Sequence, residues 1–262
     1  MHNLDPIALL VQMATSAAVV VLASLLVQRA GALVGALVAT LPLSAGPAYV
    51  FLAIDHGDAF VGRAALASLP VIGAIGVFIA VYVRLAQRHG LVVSLGGALL
   101  ACIAIAWVLN ALALPMLPSL LWNLVAFGVG TWVVRPYLAE LARPRGKGGL
   151  ADIAIRTASV VTVVMAVVVS GRLAGPALAG IVAFAPVVFT SLILVLQPRI
   201  GGPVTATVLA NGMLGMMGYV PALCLLHLAA VPLGAAVALP LTLGVLVGWN
   251  LLMLQYGRRL RP

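Results

Sequence analysis

Few residues of this 262-residue chain carry groups that could do chemistry, and their types and spacing narrow it. There are five acids and four histidines in all. The acids are scattered, so paired-carboxylate catalysis has no pair to use. A catalytic His needs a carboxylate or nucleophile close by, and His56, between Asp55 and Asp58, is the one that has it; the trio reads as a solvated loop before it reads as a site. There is no phosphate loop, metal-ligand spacing or nucleophile motif, so we expect no enzyme, no cofactor and no metal. No Asp, Glu, Lys or Arg falls in the middle of an apolar run, where a proton-driven carrier usually keeps its relay acid. What remains there is neutral and polar: Thr40, Ser44, Tyr49, Ser68, Asn110, Asn123, Thr190, Ser191, Thr205, Thr207, Asn211 and Asn250. Ser and Thr commonly bond their own helix backbone. Asn123 and Asn211 stand out because an amide is not expected to be satisfied by its own helix and needs helix-to-helix bonding or a solute. Arg63 and Arg156 lie about one turn inside opposite ends of apolar runs. They read as snorkelling cations or as positive ports for an anion, with Asp152 spaced to pair with Arg156 along one helix.

These residues are placed by two interrupted apolar runs. One contains Thr40, Pro42, Ser44, Gly46, Pro47 and Tyr49. Its echo runs from Gly180 through Pro186 to Thr190 and Ser191. A proline at membrane depth removes a backbone donor and frees a carbonyl, which lipid cannot satisfy. Matched interruptions in two halves of a chain point to a carrier's binding site. The candidate solute-binding residues are therefore Thr40, Pro42, Ser44, Tyr49, Pro186, Thr190 and Ser191, with Asn123, Asn211 and Arg63 beside them.

The composition sets the frame. The chain is 64% hydrophobic and 7% charged, with mean hydropathy +1.25. Apolar runs follow one another with short gaps, the signature of a polytopic helical membrane protein. Period-two alternation, which a barrel requires, is missing. We expect an all-α fold of about nine spans, at roughly 7–29, 31–54, 60–83, 91–112, 116–135, 151–171, 174–196, 203–228 and 232–255. The N-terminus lacks the positive region of a secretory signal, so the first run reads as an uncleaved helix. The net charge of +9 belongs to short loops that orient the chain and meet anionic headgroups, so nucleic acid is not an expected partner. With the N-terminus on one side, twelve of the 14 Lys and Arg fall on the other, leaving Arg63 and Arg172 behind. The positive-inside rule makes the richer side cytoplasmic. That predicts a bacterial inner-membrane protein with its N-terminus outside and C-terminus inside. Cys102 and Cys224 sit in apolar runs and read as small hydrophobes.

Aligning Ala39–Pro42 with Ala183–Pro186 brings Gly57 onto Gly201, Leu66 and Ala67 close to Leu209 and Ala210, and Gly73 and Gly76 close to Gly215 and Gly218. Five spans separate the copies, so they have opposite orientations. The expectation is one membrane domain over 1–262: repeat 1 at about 7–112, a linking helix at about 116–135, a basic cytoplasmic loop at 136–150, and repeat 2 at about 151–255. Small-residue pairs such as Gly171 and Gly175 mark close helix packing. The residues Gly35 to Pro42 with Gly57 and Arg63, and Gly180 to Pro186 with Gly201, resemble the GlpM-type small bacterial inner-membrane proteins, four-span chains of about one repeat's length. The second copy has no arginine to match Arg63; Thr207 or a neighbour stands there. The resemblance covers roughly half of the residues and implies a fused, inverted duplication of such a unit, without implying a substrate.

Two functions are compatible with this. The first is a secondary transporter or exporter of a small polar or anionic solute, working by alternating access around the proline-broken second and seventh spans. The second is a non-transporting scaffold or accessory subunit for envelope polysaccharide or lipid handling. Lipid is a partner in both, and a homo-oligomer is open in both.

Overall fold

The computed structural model describes residues 45–138 and 150–259, together with isolated helical positions between 11 and 18. All regular structure in them is helical. The elements are α1 (Ala45–His56), α2 (Asp58–Leu85), α3 (Leu91–Leu112), α4 (Met116–Val134) with a 3₁₀ turn at Arg135–Tyr137, α5 (Leu150–Ala183), α6 (Val187–Ile200), α7 (Gly202–Met216), α8 (Tyr219–Leu233) and α9 (Ala235–Arg259). The expected spans at 60–83, 91–112 and 116–135 coincide with α2, α3 and α4. Thr40, Pro42 and Ser44, with the first two expected spans up to residue 44 and most of the basic loop, lie outside the described residues.

Six segments among the described residues are long and apolar enough to cross a membrane: Asp58–Leu85, Leu91–Leu112, Met116–Tyr137, Val164–Ile200, Gly202–Leu233 and Ala235–Met253. The fourth has 37 residues. As a straight helix it would be about 56 Å long, far beyond a hydrocarbon core of about 30 Å. It is not straight. Gly175 has φ 83° and ψ −172° within α5, and a Cβ built on Gly171 would come 3.5 Å from that of Ala179. Eight residues of unbroken helix would hold those positions about 12 Å apart, so the chain reverses at Gly175. The expected boundary between 203–228 and 232–255 is displaced. Pro232 falls in the last turn of α8, and the reversal occurs at Gly234, φ 78°. α7 and α8 are parts of one run, interrupted at Met217 and Gly218.

α2 is the hub. Its most apolar window is 78% buried against 22% for α3, which makes α2 the central helix and α3 a peripheral one. Small residues let neighbours reach the α2 backbone, as close packing in membranes requires. Gly73 lies against the Trp122 ring, Gly76 against Phe127, and Gly62 against the His227 carbonyl. Gly180 of α5 in turn rests on the Ala64 carbonyl. Pro70 lies inside α2, and α4 is bonded to the hub beside it: Trp122 Nε1 donates to Pro70 O at 2.9 Å and Asn123 Nδ2 to Leu69 O at 2.8 Å.

The helix ends form two layers. Asp55 pairs with Arg172 across 2.7 Å, and Asp58 Oδ1 accepts the Ala235 N–H at 2.7 Å, joining the turns at Gly57, Gly175 and Gly234. At the opposite ends Tyr82 donates to Gln197 Oε1 at 2.9 Å, Gln197 reaches Ser94 Oγ at 3.4 Å, and Gly202 abuts the Ala86 carbonyl. The acid-rich loop read as solvated is thus partly buried and tied to the second half of the chain.

Candidate functional site

The feature that organises the site is the interruption at Phe184–Pro186. Pro186 has no N–H, so the Val182 carbonyl loses its helical donor; the Ala185 N–H takes it instead, at 3.0 Å. The Phe184 N–H likewise turns to Ile181 O, at 3.3 Å. Gly180 O, which a regular helix would give to Phe184, is left over. Ser68 Oγ of α2 lies 2.6 Å from it and 2.9 Å from Ala64 O. Carbonyls only accept, so the single Ser68 proton is committed to them. The contact of 2.7 Å between Tyr49 Oη and Ser68 Oγ is then a bond donated by Tyr49. A side chain of α1, a hydroxyl of the hub and a freed carbonyl of α5 form one buried chain. The lipid-intolerant group is satisfied by protein, as the bilayer demands.

The same geometry builds a cavity of about 690 Å³ beside this chain. Its described lining comes from Ala45, Gly46 and Tyr49 of α1, Phe184 at the break, Tyr219 and Ala222 of α8, and Leu239, Thr242 and Leu246 of α9, with Asp58 also on its wall. Three rings stand together there. Phe184 is 6.4 Å from Tyr49 and tilted by 52°, and 5.5 Å from Tyr219 and edge-on at 84°, the arrangements aromatic quadrupoles favour. The wall is apolar apart from the tyrosines, Thr242 and Asp58.

No family model, curated protein or solved structure matches this chain. The site is therefore read from its own chemistry.

The residues expected from the sequence separate into groups. Tyr49 lines the cavity. Pro186 makes the break, and the cavity touches that break through Phe184. Thr190 Oγ1 donates to Pro186 O at 2.7 Å and Ser191 Oγ to Val188 O at 2.8 Å; both hydroxyls bond the backbone of α6. Asn211 is exposed and donates to Thr207 O of its own helix at 2.8 Å, so an amide can find a partner within one helix after all. Asn123 is buried and donates to Leu69 O and Ser119 O, each at 2.8 Å, joining α4 to α2 away from the cavity. Arg63 is exposed and borders a separate pocket of about 240 Å³, with Asn110, Pro70 and Ala177.

Sequence reasoning passed over Phe184, Tyr219, Asp58 and Thr242 as site residues. For Phe184 a signal existed, since it stands two residues before the proline that breaks its helix. Tyr219 follows Gly218 at the interruption between α7 and α8, and nothing local distinguishes it from other apolar-run aromatics.

Proposed function

We propose that this chain is a small membrane carrier whose solute occupies the cavity walled by Tyr49, Phe184 and Tyr219. The observation that carries the reading is that one cavity is lined both by α1, which contains Pro47 and follows Pro42 in the sequence, and by the break before Pro186. Reading Val164–Ile200 as parts of two crossings divided at Gly175, and adding the runs at 7–29 and 31–54, makes nine spans. The N-terminus then lies outside and the C-terminus in the cytoplasm of a bacterial inner membrane.

An inverted duplication is supported by paired local geometry. Gly57 (φ 78°, ψ −178°) and Gly201 (φ 85°, ψ 161°) share a conformation that Gly175 and Gly234 also adopt, and what pairs the first two is their bonding. Each donates its N–H four residues back, to Ala53 O at 2.9 Å and Gln197 O at 3.0 Å, and each accepts from the residue four ahead, Val61 and Thr205. Packing is reciprocal too: α1, after the first proline stretch, lies on the last helix of the second half, α9, and α6, after the second break, lies on the last helix of the first, α3. The GlpM-type resemblance is in line with this architecture.

The wall bears on the solute. A polar or anionic solute would meet mostly apolar surface and the Asp58 carboxylate. A molecule with a flat apolar body and a neutral or cationic polar group fits better, because aromatic walls bind such bodies and such cations. Flux into proteoliposomes, measured across anionic, neutral and cationic amphipathic solutes under imposed gradients, tests the reading. Gradient-dependent flux that falls in Pro186→Ala, Phe184→Ala and Tyr219→Ala at preserved folding supports it. No flux of any class, with a stoichiometric partner recovered from native membranes, replaces it with the scaffold reading.

A further inference from the structure

The geometry points to a binding site for one anionic phospholipid between the cytoplasmic ends of α2 and α4, away from the solute cavity. A groove of about 840 Å³ runs there. Val77 and Val81 of α2 and Val129 and Trp132 of α4 line its apolar length, and Arg84 and Arg135 stand at one end. The two helices are parallel in register: Trp122 bonds the carbonyl of Pro70, Phe127 meets Gly76, and Tyr137 Oη accepts from Arg84 at 3.4 Å. Both guanidinium groups therefore lie at the same membrane surface. No lining residue is acidic, and neither arginine has an ion pair among the described residues. Trp132 is 75% exposed beside them, at the depth where indoles sit among headgroups.

Dimensions fit the occupant. From Trp122 to Arg135 the α4 wall is about 20 Å long at the helical rise, against about 15 Å for one leaflet's share of the hydrocarbon. An acyl chain can lie along the valines while a phosphate meets two guanidiniums, the geometry arginine serves best. Basic pockets between helices on the cytoplasmic side select anionic headgroups in this way. A zwitterionic lipid offers the same chain and no net charge to neutralise the pair.

The test is native mass spectrometry of the detergent-purified full chain titrated with phosphatidylglycerol or phosphatidylcholine. The expected result is one retained phosphatidylglycerol, favoured about tenfold or more over phosphatidylcholine, and a thermal unfolding midpoint that rises with phosphatidylglycerol alone. Arg84→Gln/Arg135→Gln should abolish the preference. Arg135→Gln alone should weaken it, which keeps the test open if the double variant does not fold. Arg88→Gln removes an exposed cation of the same surface outside the groove and should leave the preference unchanged. Equal weakening by Arg88→Gln would reduce the effect to general headgroup attraction and overturn the site. So would equal binding of the two lipids, or a dimer mass with no bound lipid.

Discussion

Ser68 holds together groups that have no alternative partner in a bilayer. Its hydroxyl serves the Gly180 carbonyl freed by the break and accepts from Tyr49. Removing it by Ser68→Ala strands both, whereas Tyr49→Phe removes one donor and leaves the Ser68 to Gly180 bond in place. Leaving a buried polar group unpaired costs about 1–3 kcal/mol, and membrane double-mutant cycles give interhelical bonds about 0.6–1.7 kcal/mol. We expect Ser68→Ala to destabilise by about 1–2 kcal/mol and Tyr49→Phe by less, read from thermal unfolding in detergent. Tyr49→Phe as the more damaging of the two would show that the carbonyl is not what Ser68 protects. Asn123 gives a second case. It donates to α2 and to its own helix, while its Oδ1 is buried without a partner. Asn123→Ala should lower stability and leave solute flux per folded molecule unchanged; a selective loss of flux at unchanged stability would return Asn123 to the site.

Helix ends separate what could be read from local sequence and what could not. The bounds of α3 matched because Gly90 precedes its first turn and Pro115 stands just past its last, where Ala113 leaves the helix at φ 44°. The break at Pro186 was legible because a proline in an apolar run has one structural consequence wherever it falls. The boundary expected between 228 and 232 was displaced because Pro232 still fits the last turn of α8, and the reversal belongs to Gly234. The pairings of Asp55 with Arg172 and Asp58 with Ala235 were illegible because the partners are 117 and 177 residues away. The cavity rings were equally hidden, since one aromatic residue in an apolar run looks like another. Element geometry makes its own prediction. Gly201 needs φ 85°, where an L side chain is strained even though no atom lies within 4 Å of an added Cβ, while Gly90 has the same free space at φ −70°. Gly201→Ala should cost about 1–3 kcal/mol and Gly90→Ala less than about 0.5 kcal/mol. Equal thermal shifts would mean that the Gly201 turn relaxes freely.

For the whole molecule, the two layers of helix ends differ in chemistry. The layer at Gly57, Gly175 and Gly234 is fastened by charge, through Asp55 with Arg172 and Asp58 with the first N–H of α9. The opposite layer is fastened by neutral groups, through Tyr82, Gln197 and Ser94. Each layer joins the first half of the chain to the second. On the carrier reading proposed above, one layer must loosen while the other stays closed, and the strength of each fastening would set which side opens. The Asp55 and Arg172 side chains are 16% and 13% exposed, between a surface pair worth about 0–1 kcal/mol and a buried pair whose breaking costs about 3–5 kcal/mol. Arg172→Gln removes the charge and keeps a side chain of similar length. With Cys102 and Cys224 replaced by Ala, a single cysteine in place of Ala53, two residues before Asp55, reports on the cavity wall beside this layer. In the proposed orientation, Arg172→Gln should raise its labelling by a membrane-impermeant thiol reagent applied from outside several-fold, with labelling from the cytoplasmic side unchanged or lower. Asp55→Asn should act in the same direction, because either substitution removes the pair. Unchanged labelling in both, with thermal stability also unchanged, would show that this layer is not a gate; raised labelling from both sides equally would signal loosened packing instead of a shifted equilibrium.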